Sequence, residues 1–190
     1  MYNWYGFLTR SRRIVDKYPE MTYRVPFLRA LFPDAKIVAI VREPGAVIRS
    51  IVEYSSVMAD DRGNWWGVDD AKWHHMVDQL IDGDETSAVD PSVTRATTDP
   101  ATRARAEWIL GAEHLLAAKS QLDGIIRFEE LLADPDGVLR GLCETLELNP
   151  NRIVSYGCEV VGEPKMTSSQ DPDAVLAPLM AQLGYETVTP

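Results

Sequence analysis

An α/β fold, with a parallel sheet and helices on both faces, is predicted by three observations. Lys36-Ile-Val-Ala-Ile-Val41 is apolar without alternation, Gly124-Ile-Ile-Arg-Phe128 is a second short apolar run, and stretches with helical spacing of apolar residues separate the two. A strand covered on both sides keeps no polar face, so its residues need not alternate. Strands joined through helices pair in parallel, because the crossover returns the chain to the same end of the sheet.

Taken in order, Arg12-Arg-Ile-Val-Asp16 reads as a short strand ending at Lys17, and Pro19 stops regular pairing. From Thr22, the residues Val25, Leu28, Leu31 and Phe32 recur at helical spacing, with Pro26 in the first turn and Pro33-Asp34 closing the helix. After the Lys36–Val41 strand, Pro44 opens a helix whose stripe is Val47, Ile48, Ile51 and Val52. The stretch from about 60 to 100 is rich in Asp, Gly, Thr and Pro, with one helix around 69–82. It reads as part of an insertion, about 55–100, over one edge of the core. Residues 101–121 form a long Ala-rich helix, and the Gly124–Phe128 strand follows. Glu129 to Leu132 starts a helical turn. Asp134-Pro135 then caps a helix with Val138, Leu139, Leu142 and Leu146 on its apolar face. A last helix, about 172–183, ends at Gly184.

With 190 residues and 45% apolar content, the chain is expected to form one domain, 1–190, around a single core. No run approaches the ~20 apolar residues of a membrane span, and the amino terminus lacks a charged-then-apolar signal. A soluble, cytoplasmic protein is expected. Cys143 and Cys158 lack paired ligand spacing and read as reduced thiols. His74 and His75 point in different directions on a helix, with no ligand four residues on, so no metal is expected. A net charge of −10 argues against nucleic acid. Residues 1–50 nevertheless sum to +5 and the remainder to −15. A basic segment in an acidic protein suits a small, highly charged anion, although chance clustering of solvated side chains accounts for the charge equally well.

In an open parallel sheet, ligands sit beyond the carboxy ends of the strands. Arg42 lies there, just before the helix opened by Pro44, where an arginine can give two parallel hydrogen bonds to a phosphate. Ser50 follows two turns later on nearly the same helix face. On spacing alone, a structural arginine capping a loop carbonyl is an equal reading. Trp65, Trp66 and Trp73 either line an apolar acceptor pocket or form the core of the insertion.

Lys17-Tyr-Pro, Val25-Pro-Phe-Leu, Leu31-Phe-Pro-Asp-Ala-Lys-Ile-Val, and Val41-Arg-Glu-Pro ending at Ser50 together resemble the central block of sulfotransferases. So do the later Arg127-Phe-Glu-Glu-Leu-Leu-Ala-Asp-Pro and the terminal Leu183-Gly-Tyr185. The resemblance implies a fold like that of P-loop nucleoside triphosphate hydrolases. It also implies transfer of a sulfuryl group from 3′-phosphoadenosine 5′-phosphosulfate to a hydroxyl or amine of a small-molecule acceptor, without a metal. Arg42 and Ser50 would hold the 3′-phosphate. Lys17 would act catalytically beside the sulfuryl group, with Tyr18 in place of the usual threonine; Glu43 replaces the commoner aspartate. Lys165 stands near a late basic position of the family but lacks the surrounding glycine and tryptophan pattern.

The family's 5′-phosphosulfate loop would precede Lys17 by many tens of residues, whereas sixteen residues precede it here. None of the five lysines sits in a Gly-rich turn between strand and helix, which also disfavours a nucleoside-phosphate kinase. The expectation is a half-built donor site, belonging either to a sulfotransferase or to a non-catalytic remnant that binds the nucleotide weakly or not at all. A further expectation is that the apolar edges of the strands near 37–41 and 125–128 lack a partner, so that the isolated chain is marginal or self-associates.

Overall fold

The computed structural model describes residues 14–57, 63–161 and 174–185. Its first described residues correct the sequence reading. Residues 14–18 are exposed and without regular structure, so the strand predicted at 12–16 is absent from its described part; Arg12 and Arg13 lie outside the described residues. Val15 is 85% exposed, so a ladder there would bury little apolar surface.

A 3₁₀ turn, Pro19–Arg24, leads into α1, Val25–Leu31, with Pro26 in its first turn and Val25 buried. β1, Val38–Val41, pairs in parallel with β2, Gly124–Arg127, in the register Ala39↔Ile125 and Val41↔Arg127. The two predicted strands therefore pair with each other, and among the described residues each keeps its other edge without a strand neighbour. Ala39 and Val41 are buried, while Ile40 on the opposite face is 60% exposed. The parallel α/β sheet is present; the absence of alternation in β1 does not correspond to cover on both faces.

Between the strands run α2, Pro44–Val57; α3, Ala71–Met76, extended by a π-helical turn Val77–Ile81; and α4, Pro100–Ala117. Asp99 caps α4 by accepting from the Thr102 amide at 2.8 Å and the Thr102 hydroxyl at 2.6 Å, and Pro100 fills the first position. Ala104, Ala106 and Ala112 are buried on α4, and these small side chains allow α2 to pack closely against it. Trp66 and Trp73 are 1% and 0% exposed. They join the same cluster as Val41, Ile51 and Leu110, so the 63–99 stretch is built into the main core.

After β2 come α5, Phe128–Ala133, and α6, Pro135–Thr145, capped by Asp134 accepting from the Gly137 amide at 3.0 Å. α7, Pro150–Val160, packs on α6 and was not foreseen, although Asn149-Pro150 carries a cap and a first-turn proline. α8, Leu176–Gln182, packs on α4; the first residues of its predicted range, 172 and 173, lie outside the described residues. Gly184 stops it at φ +89°, with the Tyr185 amide on the Met180 carbonyl and the Gly184 amide on the Ala181 carbonyl, both at 3.0 Å. This double closure needs a left-handed residue, which glycine supplies without a Cβ clash. No helix among the described residues is long and apolar enough to cross a membrane.

Candidate functional site at the carboxy end of β1

The turn from β1 into α2 brings several charged groups together. Arg42 is half-buried and its guanidinium lies 4.9 Å from the centre of the Phe128 ring. Its backbone carbonyl accepts from the Trp108 indole at 2.9 Å, which fixes the backbone at the strand end. Among the described residues the guanidinium makes no hydrogen bond and no ion pair, so its fork of donors stays available. The first amides of α2 are differently provided. Glu43 N–H donates to Glu129 Oε1 at 2.9 Å, and Gly45 N–H to Glu43 Oε2 at 2.9 Å. Two side-chain carboxylates thus occupy the positive end of the helix. A Cβ on Gly45 would stand 3.1 Å from Glu43 Oε2, so glycine keeps that approach open.

Glu129 is held in turn by the hydroxyl of Tyr185, which donates to Oε2 at 3.0 Å. The Gly184 turn carries Tyr185 to this place, so the end of α8 anchors the start of α2. Burial, and then the charge of Glu129, pushes the Tyr185 phenol well above its ordinary pKa. The phenol stays protonated and keeps donating.

Next to this turn lies a cavity of about 220 Å³ lined by Glu20, Tyr23, Val41, Arg42, Trp65, Lys72, Glu107 and Trp108, among others. Glu107 Oε2 accepts from the indoles of Trp65 at 3.0 Å and Trp66 at 2.9 Å, and Oε1 accepts from Lys72 Nζ at 2.6 Å. Lys72 also lies 3.5 Å from Glu20 Oε1 and 4.8 Å from the centre of the Trp65 ring. Glu20 Oε2 is buried without a hydrogen-bond partner. Burial, and then Glu107 and Glu20, raise the Tyr23 phenol.

The family model described as "Sulfotransferase family" matches residues 2–93, nearly half of the chain. Over this segment the chain is similar to the sulfotransferase family. Sulfuryl transfer is that family's chemistry, and Lys17, Arg42 and Ser50 all fall within the match. No curated protein and no solved structure matches the chain.

Within the matched segment, the structure distributes the sequence-predicted residues unevenly. Arg42 lines the cavity together with Pro19 and Glu20, which brings the stretch following Lys17 against the end of β1. Lys17 itself is exposed in the irregular 14–18 stretch, and Ser50 is exposed on α2; neither lines the cavity. The alternatives for the tryptophans divide by residue: Trp66 and Trp73 are core, while Trp65 faces the cavity. Sequence reasoning missed Glu20, Lys72 and Glu107. Lys72 and Glu107 are thirty-five positions apart and meet only because α3 and α4 both border the cavity. The family match also covers most of the stretch read as an insertion, and it stops before the later Arg127–Pro135 resemblance. Lys165 lies outside the described residues.

Proposed function

We propose that this chain transfers a sulfuryl group from 3′-phosphoadenosine 5′-phosphosulfate to a hydroxyl or amine of a small-molecule acceptor. The observation that carries the reading is Arg42: a half-buried guanidinium without a carboxylate partner, at the carboxy end of β1, inside a sulfotransferase-family segment. Desolvated and unpaired, it favours a doubly charged phosphate, and its planar fork suits two of the oxygens. Ser50 adds a hydroxyl donor further along α2 for the same 3′-phosphate. Lys17 supplies positive charge near the sulfuryl group as the nucleotide departs. The transfer is a loose in-line displacement by analogy with phosphoryl transfer, so positioning and fixed charge do most of the work.

A second reading has its own observation. The first-turn amides of α2 already hold the Glu43 and Glu129 carboxylates, which leaves fewer donors for a nucleotide. On that reading the chain is non-catalytic and binds the nucleotide weakly or not at all. Calorimetric titration with 3′-phosphoadenosine 5′-phosphate, with adenosine 5′-phosphate as control, separates the two. Binding that requires the 3′-phosphate is expected. A folded chain that binds neither nucleotide would rule out the donor site.

A further inference from the structure

Resting on that reading and going beyond it, we propose that the cavity beside Arg42 is the acceptor site. It takes a neutral hydroxyl on a small apolar ring, and Glu20 is the group that receives the hydroxyl proton. Two carboxylates border the cavity, and they differ in how they are used. Glu107 is committed: two indoles share Oε2, and Lys72 holds Oε1. Glu20 has only the looser contact with Lys72 at 3.5 Å, and its Oε2 has no partner among the described residues. A shielded carboxylate oxygen without a donor is costly, and a ligand O–H removes that cost. The last torsion of a glutamate is broad, so a small turn of the carboxylate presents this oxygen to the cavity.

Lys72 decides between hydroxyl and amine. Its ammonium already occupies the cation position over the Trp65 ring and lies between the two carboxylates. A protonated amine entering here would face a like charge at short range, whereas a hydroxyl would not. The walls are apolar at Val41, Val47, Ile51, Trp108 and Leu115. A volume of about 220 Å³ is below that of most drug-sized sites and suits a single ring. Pro19 and Glu20, which follow Lys17 closely, border the same cavity as Arg42, so the hydroxyl would lie on the side of the residue assigned to the sulfuryl group, with Arg42 at the 3′-phosphate end. In the transfer, the acceptor oxygen forms a new S–O bond as the S–O bond to the nucleotide phosphate breaks. The electron pair leaves with 3′-phosphoadenosine 5′-phosphate, and the acceptor proton passes to the Glu20 carboxylate.

Trp65 and Trp108 report on the cavity by fluorescence, so binding can be read without any nucleotide. The probes are 4-methylphenol, 4-methylanisole, which lacks the O–H, and 4-methylbenzylammonium, which carries the charge. The wild-type chain should bind the phenol about tenfold more tightly than either of the others. Glu20→Gln should cut the preference over the anisole to about threefold or less, with an unchanged melt. Equal binding of phenol and anisole, or preference for the ammonium, would overturn the assignment without recourse to any variant. Phenol preference retained in Glu20→Gln would overturn the role of Glu20. With the sulfuryl donor added, Glu20→Gln should lower kcat by about 10²-fold or more, and a smaller loss would also overturn that role. Selective phenol binding with no turnover in the wild type would instead remove the sulfotransferase reading and leave the binding site standing.

Discussion

Arg103 and Arg42 show how the same side chain serves two purposes in one molecule. Arg103 is 3% exposed, and each of its three side-chain nitrogens has a partner. It gives two 2.8 Å contacts to the carboxylate of Asp70 and a 2.5 Å bond to the Thr97 carbonyl, and its guanidinium lies 5.2 Å from the ring centres of both Trp66 and Trp73. The pairing in turn holds the Asp70 carboxyl below its usual range. Arg42 has only an aromatic ring beneath it. A buried polar group that is fully paired specifies the fold; one that is half-buried and unpaired is poised for a ligand.

The largest expected effect follows from breaking the satisfied member. Arg103→Ala should destabilise the chain by about 3 kcal/mol, because it empties a slot between two buried indoles and strips Asp70 of its partner. Arg42→Ala should change stability by less than ~1 kcal/mol in the same urea titration. Equal losses at the two sites would remove the distinction.

A smaller effect is expected at the anchor between the chain end and α2. Tyr185→Phe removes the bond to Glu129 and should cost about 1 kcal/mol at pH 7. The folded pKa of Tyr185 is raised, so its contribution is fully present below the unfolded value near 10 and is lost as pH rises beyond it. Urea midpoints of wild type and the Phe variant, apart at pH 7, should therefore converge by about pH 10.5, whereas a hydrogen bond without a titrating phenol would leave the gap constant. Identical alkaline slopes would contradict the buried phenol.

Asp123 offers the acid counterpart. The Ile37 amide at 2.8 Å, and then Arg29 at 2.9 Å, hold its carboxyl below the ordinary value. Stability from this group is present above about pH 4 and is lost as pH falls through the lower folded value. Asp123→Asn should flatten the melt-versus-pH curve on the acid side; an unchanged curve would show that the carboxylate contributes nothing there. The smallest change is expected for Ser50→Ala: two- to tenfold weaker binding of 3′-phosphoadenosine 5′-phosphate, with no measurable shift in the melt.

Much of this contrast could be read along the chain, and part of it could not. The strands at 38–41 and 124–127, the caps Asp99-Pro100 and Asp134-Pro135, and the stop at Gly184 are local patterns, so sequence reasoning reached all but the Asp99 cap. The position of Arg42 at the strand end was legible for the same reason, since it depends on the strand before it and the proline after it. The strand predicted at 12–16 failed over its described part because β-propensity without a covering surface does not make a strand. The exposed face at Ile40 was also illegible, since an apolar run does not reveal how many of its sides will be covered. The Glu20, Lys72, Glu107 and Trp65 cluster is assembled from three separate helical elements and the turn that holds Trp65. No period or motif marks such an arrangement, and only the packed chain brings it together.

The most direct test pairs the two arginines in one experiment, a thermal melt with and without saturating 3′-phosphoadenosine 5′-phosphate. The account predicts that the ligand raises the wild-type melting temperature, that Arg42→Ala melts like wild type but shows no ligand shift, and that Arg103→Met melts lower yet keeps the shift. A ligand shift retained in Arg42→Ala, or lost only in the Arg103 variant, would contradict the claim that the unpaired arginine at the end of β1 is the one reserved for the nucleotide.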